Sequence, residues 1–295
     1  MATVRASGLV VFVAVLLATT APGAAVPVPP VAPTLEVRAR AWRPGEVLRV
    51  EWSTLDASSD AGATVRAFAG SAPTYDLGNG RAQALVGVDL DQQPGDYEVA
   101  FVSATGQVLA TRPVTIEPAR FATRTLTVDP GFVNPPKAVL PRIQREATLM
   151  ADVFARSAPE RYWRGPVARP VPQAANSRFG SRSVFNGEAR NPHTGTDFLS
   201  PAGTPIRAPL AGRIVVAQDL YFSGGSVIID HGLGLFSQLV HMSRIDVKAG
   251  QMLASGDVVG LVGATGRVTG AHLHWGMRLG GARVDPLALL EVLKD

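Results

Sequence analysis

The sequence predicts a mainly β protein with two domains connected by one helix. Three features of the 295 residues support this prediction: short apolar segments of alternating pattern, glycine and proline at the breaks between them, and a single segment of helical periodicity. With 46% hydrophobic and 18% charged residues, the chain has enough apolar material for two cores. It contains no cysteine, so any metal ion must be held by histidine and carboxylate side chains.

The first residues have the layout of a secretory signal peptide. Arg5 precedes an apolar run at residues 8–18, and a small-residue stretch follows at 22–25. The run is shorter than the roughly 20 residues that span a bilayer, which disfavours a retained membrane anchor. We expect residues 1–25 to be removed, giving an exported protein of the periplasm or cell envelope with no stable membrane insertion after cleavage. The proline-rich residues 26–33 would then form a stiff tether.

Residues 34–120 have the alternation expected of a small immunoglobulin-like β-sandwich. Strands are predicted around Leu48/Val50/Trp52, Val65/Ala67, Leu85–Leu90, Tyr97/Val99/Phe101 and Val114/Ile116. The segment has no histidine and no cluster of carboxylates. We therefore expect it to position the protein or to contact protein partners in the cell envelope, rather than to take part in catalysis.

Residues 121–165 are predicted to link the two domains. Within them, residues 141–158 form the one good helix candidate, because Pro141 stands at the start and Pro159 ends the segment. Its apolar residues fall on one helical face: Ile143, Ala147, Met150, Val153 and Phe154. We expect this helix to pack between the two domains.

Residues 166–295 are rich in glycine, proline and valine and predict an antiparallel β domain. Its predicted strands are Ile206–Ala208, Gly212–Val216, Ser226–Asp230, Leu235–Val240, Val258–Val262 and His272–Arg278. A short helix is predicted at the end, over Pro286–Leu293.

All five histidines lie between residues 193 and 274, which favours one common site. His193 is four residues from Asp197, and His272 is two residues from His274. Residues two apart on a strand project from the same face, so His272 and His274 can enter one cleft, which His241 can also approach. Two imidazoles and a carboxylate are a normal ligand set for catalytic zinc, and the remaining histidines can then move protons.

Several other kinds of site are disfavoured. An H-x-H pair also serves cupin metal sites, but these usually add a glutamate a few residues later, and residues 275–280 contain no carboxylate. The glycines of residues 260–270 are not followed by the lysine of a phosphate loop. There is no G-x-S-x-G sequence of a serine hydrolase. A net charge of +4 spread along the chain does not indicate nucleic-acid binding.

In combination, the motifs resemble the LytM/lysostaphin metallopeptidases of peptidase family M23. Five blocks occur in the order found in that family: Pro192-His193-Thr194-Gly195-Thr196-Asp197, Ile229-Asp230-His231-Gly232, His241-Met242-Ser243, Gly263-Ala264-Thr265-Gly266 and His272-Leu273-His274. Upstream, the sequence SRFGSR at residues 177–182 resembles the family's lead-in. Two departures, Leu239 where tyrosine is frequent and Met242 where leucine is frequent, remove no ligand.

The resemblance implies a role for each matching position. It implies that Zn²⁺ is bound by His193, Asp197 and His274. It implies catalytic roles beside the metal for His241 and His272, and a structural role for His231.

The implied activity is that of a zinc-dependent endopeptidase that hydrolyses the stem-peptide cross-links of bacterial peptidoglycan by attack of a zinc-activated water. A shallow groove lined by four glycines would suit a thin peptide strand: Gly224, Gly225, Gly266 and Gly270. The alternative is a noncatalytic cell-wall-binding regulator that activates other wall hydrolases. Regulators of that kind have usually lost ligands, whereas all five site residues are present here.

Overall fold

The computed structural model describes residues 33–54, 62–68, 70–127, 135–189 and 191–294. The predicted signal peptide and the first residues of the tether precede them and lie outside the described residues. Within these ranges the protein is mainly β, as predicted, with two α-helices. None of the helices described is long and apolar enough to cross a membrane.

The N-terminal part consists of two four-stranded sheets that share one apolar core. One sheet contains β1 (Thr34–Ala39), β2 (Val47–Ser53), β5 (Tyr75–Gly78) and β6 (Arg81–Gly87), in the order β1-β2-β6-β5. The other contains β3 (Thr64–Ala67), β4 (Gly70–Pro73), β7 (Gly95–Val102) and β8 (Val108–Ile116), in the order β4-β3-β7-β8. Between the sheets the rings of Trp52 and Phe101 stack with centroids 4.6 Å apart.

The five strands predicted in this part correspond to β2, β3, β6, β7 and β8. Three further strands, β1, β4 and β5, were not predicted. In β4 the sequence Gly-Ser-Ala-Pro contains no large apolar side chain, so alternation cannot reveal it. The immunoglobulin-like character of residues 34–120 stays a prediction.

The C-terminal part is built on a ten-stranded antiparallel sheet. Its strands are β10 (Ala175–Ser177), β13 (Gly195–Phe198), β14 (Pro205–Arg207), β15 (Gly212–Leu220), β16 (Gly224–Gly232), β17 (Leu235–Ile245), β18 (Met252–Leu253), β19 (Val258–Val262), β20 (Leu273–Leu279) and β21 (Ala282–Val284). The main order is β10-β13-β20-β17-β16-β15-β18, with β21 paired to β20 and β19 paired to both β14 and β17. The final helix, α2 (Pro286–Val292), occurs where it was predicted.

A small three-stranded sheet connects the linker to the C-terminal part. It contains β9 (Thr123–Leu126), β11 (Arg182–Phe185) and β12 (Glu188–Ala189). β9 pairs in parallel with β11, and β11 pairs in antiparallel fashion with β12. The linker therefore contributes a strand beside the segment that leads to His193.

The linker helix, α1 (Leu140–Phe154), follows a 3-10 turn at Lys137–Val139 and lies on the ten-stranded sheet. Three of its predicted apolar residues pack on side chains of β15, β16 and β17: Met150, Val153 and Phe154 contact the cluster of Val216, Ile228 and Phe236. The helix ends before the predicted Ala158, because Ser157 and Ala158 donate hydrogen bonds of 2.7 and 2.8 Å to the carboxylate of Asp230. These contacts attach the helix to the sheet, whereas the sequence predicted packing between two domains.

The sandwich contacts the C-terminal part through both apolar and charged groups. Val47 and Leu85 from the sandwich belong to the core of the ten-stranded sheet. The carboxylate of Asp285 forms a 2.7 Å ion pair with Arg40 and accepts a 3.2 Å hydrogen bond from the hydroxyl of Thr196. One carboxylate thus joins the sandwich to β13.

His231 is a fully buried histidine with a hydrogen-bond partner at each ring nitrogen. Its Nδ1 lies 2.9 Å from the carbonyl oxygen of Ala211, so Nδ1–H donates there, and Nε2 accepts from the hydroxyl of Ser237 at 2.8 Å. The same hydroxyl oxygen accepts from the indole N–H of Trp275 at 3.3 Å. Burial lowers the pKa of His231 from 6.5 to about 4, so the ring is neutral in the folded protein near pH 7.

We expect His231→Ala to lower the free energy of unfolding at neutral pH by about 2–4 kcal/mol, through a cavity and unpaired polar groups. The unfolded chain protonates this residue at higher pH than the folded chain does. Wild type should therefore lose on the order of 3 kcal/mol of stability through His231 as the pH falls from 6.5 to 4. Urea unfolding at several pH values measures both effects. Equal pH slopes for wild type and variant would contradict this account of His231.

Candidate metal centre

Side chains from β13, β20 and the loop before β13 meet at one point. The Nε2 atom of His193 lies 3.0 Å from Oδ1 of Asp197 and 2.9 Å from Nδ1 of His274, and the last two atoms are 2.9 Å apart. Together they form the one group of potential metal ligands found among the described residues. The structure thus brings together the three side chains that the family resemblance assigned to zinc.

The pairing of β13 with β20 sets two of these side chains side by side. Asp197 lies directly opposite His274 in the antiparallel register, and Gly195 lies opposite Gly276. A Cβ atom at position 195 would lie 2.6 Å from Nε2 of His274 and 2.5 Å from the carbonyl oxygen of Trp275. Gly195 is therefore needed, because any larger residue would exclude the imidazole of His274 from its observed position.

His193 is oriented by the segment that precedes it. Its backbone exchanges hydrogen bonds with Ser181 and Gly180, at 2.9 and 2.8 Å. Its Nδ1 lies 3.2 Å from the carbonyl oxygen of Arg178. When Nδ1–H donates to this carbonyl, Nε2 carries a lone pair that faces the other two ligand atoms. On the outer side the ring of Phe121 packs on Gly180, where a Cβ atom would collide with it.

The chemistry of this donor set fits a divalent metal ion. Burial opposes ionisation of Asp197, but the adjacent imidazoles of His193 and His274 outweigh burial and hold the pKa of this carboxyl well below its usual range. An ionised carboxylate and imidazole lone pairs that face one another need a shared cation or proton between them. Ligand atoms around a tetrahedral ion at about 2.0 Å lie about 3.3 Å apart, which is close to the observed separations. The three side chains are 12–16% exposed, so the site is sheltered but open to a substrate.

Two more histidines lie beside the three ligand candidates. The ring of His241 has its centroid 4.9 Å from that of His272 and 6.1 Å from that of His274. Nε2 of His272 lies 3.9 Å from Oδ1 of Asp197. His272 precedes the first residue of β20, in an isolated bridge with Gly263, and still faces the same cleft as His274.

Both of these histidines use Nδ1 to contact a backbone carbonyl. In His241 it lies 2.9 Å from the oxygen of Thr265, and in His272 it lies 2.9 Å from the oxygen of Gly270. Nδ1–H donates in each case, which leaves Nε2 unprotonated and able to accept a proton. Burial, together with the charges of His274 and His272, lowers the pKa of His241 to about 3, so this ring is neutral near pH 7.

Not all of the glycines expected to line the groove do so. Gly224 and Gly225 are buried. A Cβ atom on Gly224 would collide with Thr265, and one on Gly225 would collide with Met242. Gly266 and Gly270 are exposed, as a groove requires. The expectation was wrong for the first two because their small size allows two backbone segments to touch, which a sequence pattern does not separate from an open surface.

Gly195, Arg178 and Thr265 lie within the motif blocks, but the sequence assigned them no role in this site. Gly195 stands between two ligand candidates, and a glycine in that place is the one signal that would have indicated close packing. A backbone carbonyl gives no sequence signal at all.

Several known proteins are similar to this chain. A sequence profile of peptidase family M23 matches residues 191–286. The chain is 41% identical over 96 residues to the peptidoglycan DD-endopeptidase ShyA of Vibrio cholerae, and 38% identical over 97 residues to the DD-carboxypeptidase/endopeptidase Mpg of Neisseria meningitidis. These matches cover 32% and 33% of this chain but only 22% of each relative. The chain thus spans about a fifth of the length of these relatives.

One solved structure is similar over most of the chain. It is a crystal structure of a candidate M23 peptidase from Pseudomonas aeruginosa, with a TM-score of 0.68 and 31% sequence identity. The similarity covers 86% of this chain and 97% of that one, so it includes residues well outside the segment that the family profile matches.

We expect Gly195→Ala to weaken binding of a divalent metal ion, measured with zinc, about tenfold to a hundredfold, because the added methyl group displaces His274 from the other two ligand candidates. Competition against a chromophoric chelator measures the affinity. Gly70→Ala is the matched control, since a Cβ atom there meets nothing within 4 Å. Equal zinc affinities for wild type and Gly195→Ala would show that the position of His274 does not limit metal binding.

Proposed function

Because the chain belongs to peptidase family M23, we propose that it is a zinc-dependent endopeptidase that hydrolyses peptide cross-links of bacterial peptidoglycan by attack of an activated water. The observation that carries this proposal is the convergence of five side chains in one cleft: His193, Asp197, His241, His272 and His274. The relatives named as DD-endopeptidases support a bond between two D-amino acids as the one that is cleaved.

The site's donor set favours zinc among divalent ions. Two imidazoles and one carboxylate are a ligand set typical of catalytic zinc sites, and His193, Asp197 and His274 would hold the ion. When bound there, zinc would supply a lowered pKa for a water molecule and polarisation of a peptide carbonyl, both of which peptide hydrolysis at neutral pH requires.

His241 and His272 would handle the protons of this reaction. Each ring has Nδ1–H bound to a carbonyl and Nε2 free to accept. As the water oxygen bonds to the carbonyl carbon, one Nε2 accepts the proton that the water loses. The same proton is then delivered to the leaving amine nitrogen as the C–N bond breaks. Once protonated, an imidazolium beside the reacting carbon also stabilises the negative charge on its oxygen.

We propose that each of the predicted domains has a separate role. Residues 166–295 form the peptidase domain, and residues 121–165 link it to the sandwich. Residues 34–120 position the peptidase or contact protein partners of the cell envelope. The predicted signal peptide at residues 1–25 supports action outside the cytoplasm, where stem peptides of peptidoglycan are found.

The direct test is digestion of purified peptidoglycan sacculi by the zinc-loaded protein, with mass spectrometry of the released fragments. We expect peptide cross-links to be opened between D-amino acids while the glycan strands stay intact. Removal of zinc with a chelator should stop the release, and added zinc should restore it. No fragments from a protein that carries one zinc ion per chain would contradict the proposal.

Two classes of variant separate metal binding from proton transfer. We expect His193→Ala to lose both zinc and activity. His241→Ala and His272→Ala should keep zinc and lose about 10²–10⁴-fold in turnover. Asp96→Asn, a surface carboxylate change in the sandwich, is the control and should behave as wild type. Activation of another wall hydrolase that survives in His193→Ala would favour the noncatalytic alternative.

A further inference from the structure

His241 has an unusual backbone conformation that neighbouring residues must maintain. Its φ of 67° lies in the left-handed region, which non-glycine residues seldom adopt. The residue lies in a bulge, since the register of β17 on β16 shifts between Leu239 and Met242. Positions of this kind persist only where the surrounding structure holds them, and they cluster at functional sites.

A single hydroxyl group ties this bulge to two other segments. The Oγ1 atom of Thr265 donates to the carbonyl oxygen of Met242 at 2.8 Å and accepts from the backbone N–H of Gly225 at 2.9 Å. The carbonyl oxygen of the same Thr265 accepts from Nδ1–H of His241 at 2.9 Å. Thr265 therefore contacts the imidazole of His241, the backbone of the next residue, Met242, and the start of strand β16 at Gly225.

The segments around this hydroxyl group pack closely against one another. A Cβ atom on Gly224 would collide with Oγ1 of Thr265. A Cβ atom on Gly266 would lie 2.5 Å from the backbone nitrogen of Gly224 and 2.6 Å from the carbonyl oxygen of Phe222. Because these segments touch backbone to backbone, loss of the hydroxyl would leave the donor on Gly225 without a partner.

We propose that Thr265 is a positioning residue whose hydroxyl group holds the left-handed bulge at His241 and so keeps the Nδ1–H of that imidazole on the carbonyl of Thr265. The effect of this role on catalysis rests on the proposed function, whereas the hydrogen bonds that connect Thr265 to the bulge do not depend on it. Within the described part of the chain, Thr265 hydrogen-bonds to Gly225, His241 and Met242, and not to His193, Asp197 or His274. Its loss should therefore change turnover and leave zinc binding intact.

Thr265→Val removes the hydroxyl and keeps the shape of the side chain. We expect the full-length, zinc-loaded variant to lose about tenfold to a hundredfold in kcat, as a displaced catalytic group does. Its KM and its zinc content should match wild type. Thr265→Ser keeps the hydroxyl and should recover most of the lost activity.

Thr74→Val is the matched control. The hydroxyl of Thr74 also donates to a backbone carbonyl, that of Ala63 at 2.8 Å, but within the sandwich. We expect this control to keep wild-type kcat. If Thr265→Val does not fold, Thr265→Cys gives the same test, because its S–H group is a weak donor in place of a strong one.

Nitrogen NMR of protein labelled at histidine tests the structural link without any hydrolysis. The ring nitrogens of His241, assigned by the signals missing from His241→Gln, should show the Nδ1–H tautomer in wild type and in Thr265→Ser. A reduced share of that tautomer in Thr265→Val or Thr265→Cys would support the proposal. Unchanged His241 signals in those variants would overturn it. If wild type releases nothing from peptidoglycan, the proposed function fails, but this NMR comparison still decides the role of Thr265.

Discussion

The register between β13 and β20 is the constraint on which the rest of this site depends. It sets Asp197 opposite His274 and Gly195 opposite Gly276, so that a carboxylate, an imidazole and the space for that imidazole lie on one face. A slip of one residue would place Trp275 opposite Asp197 and turn His274 to the other face of the sheet. The ligand geometry is therefore a property of strand pairing more than of any one side chain.

Buried groups on the face of the two strands opposite the ligand candidates hold this register. Phe198 and Trp275 are fully buried in the core of the sheet, and the indole N–H of Trp275 reaches the hydroxyl that also contacts His231. On β13, the hydroxyl of Thr196 reaches Asp285, which pairs with Arg40 of the sandwich. The sandwich thus supports the strand that carries Asp197. The linker contributes as well, since Phe121 packs on the turn that orients His193.

Much of the fold and the membership of the site could be predicted from sequence. Most strands with large apolar residues at alternating positions were found, and so was the final helix at Pro286. β1 was missed although Leu35 and Val37 alternate in it. β13 was not predicted, because its sequence Gly-Thr-Asp-Phe carries only one large apolar residue. This segment forms a strand because it pairs with β20. The left-handed conformation of His241 and the backbone contact between Gly224 and Thr265 also escaped prediction. They arise from segments far apart in the chain, and local periodicity carries no information about them.

X-ray diffraction from crystals of the zinc-loaded full chain, with data recorded on both sides of the zinc absorption edge, tests the central claim most directly. The structure predicts one anomalous peak within about 2.0–2.2 Å of Nε2 of His193, Oδ1 of Asp197 and Nδ1 of His274. A peak located instead between His241 and His272, or no peak near β13 and β20, would contradict the assignment of His193, Asp197 and His274 as the metal ligands.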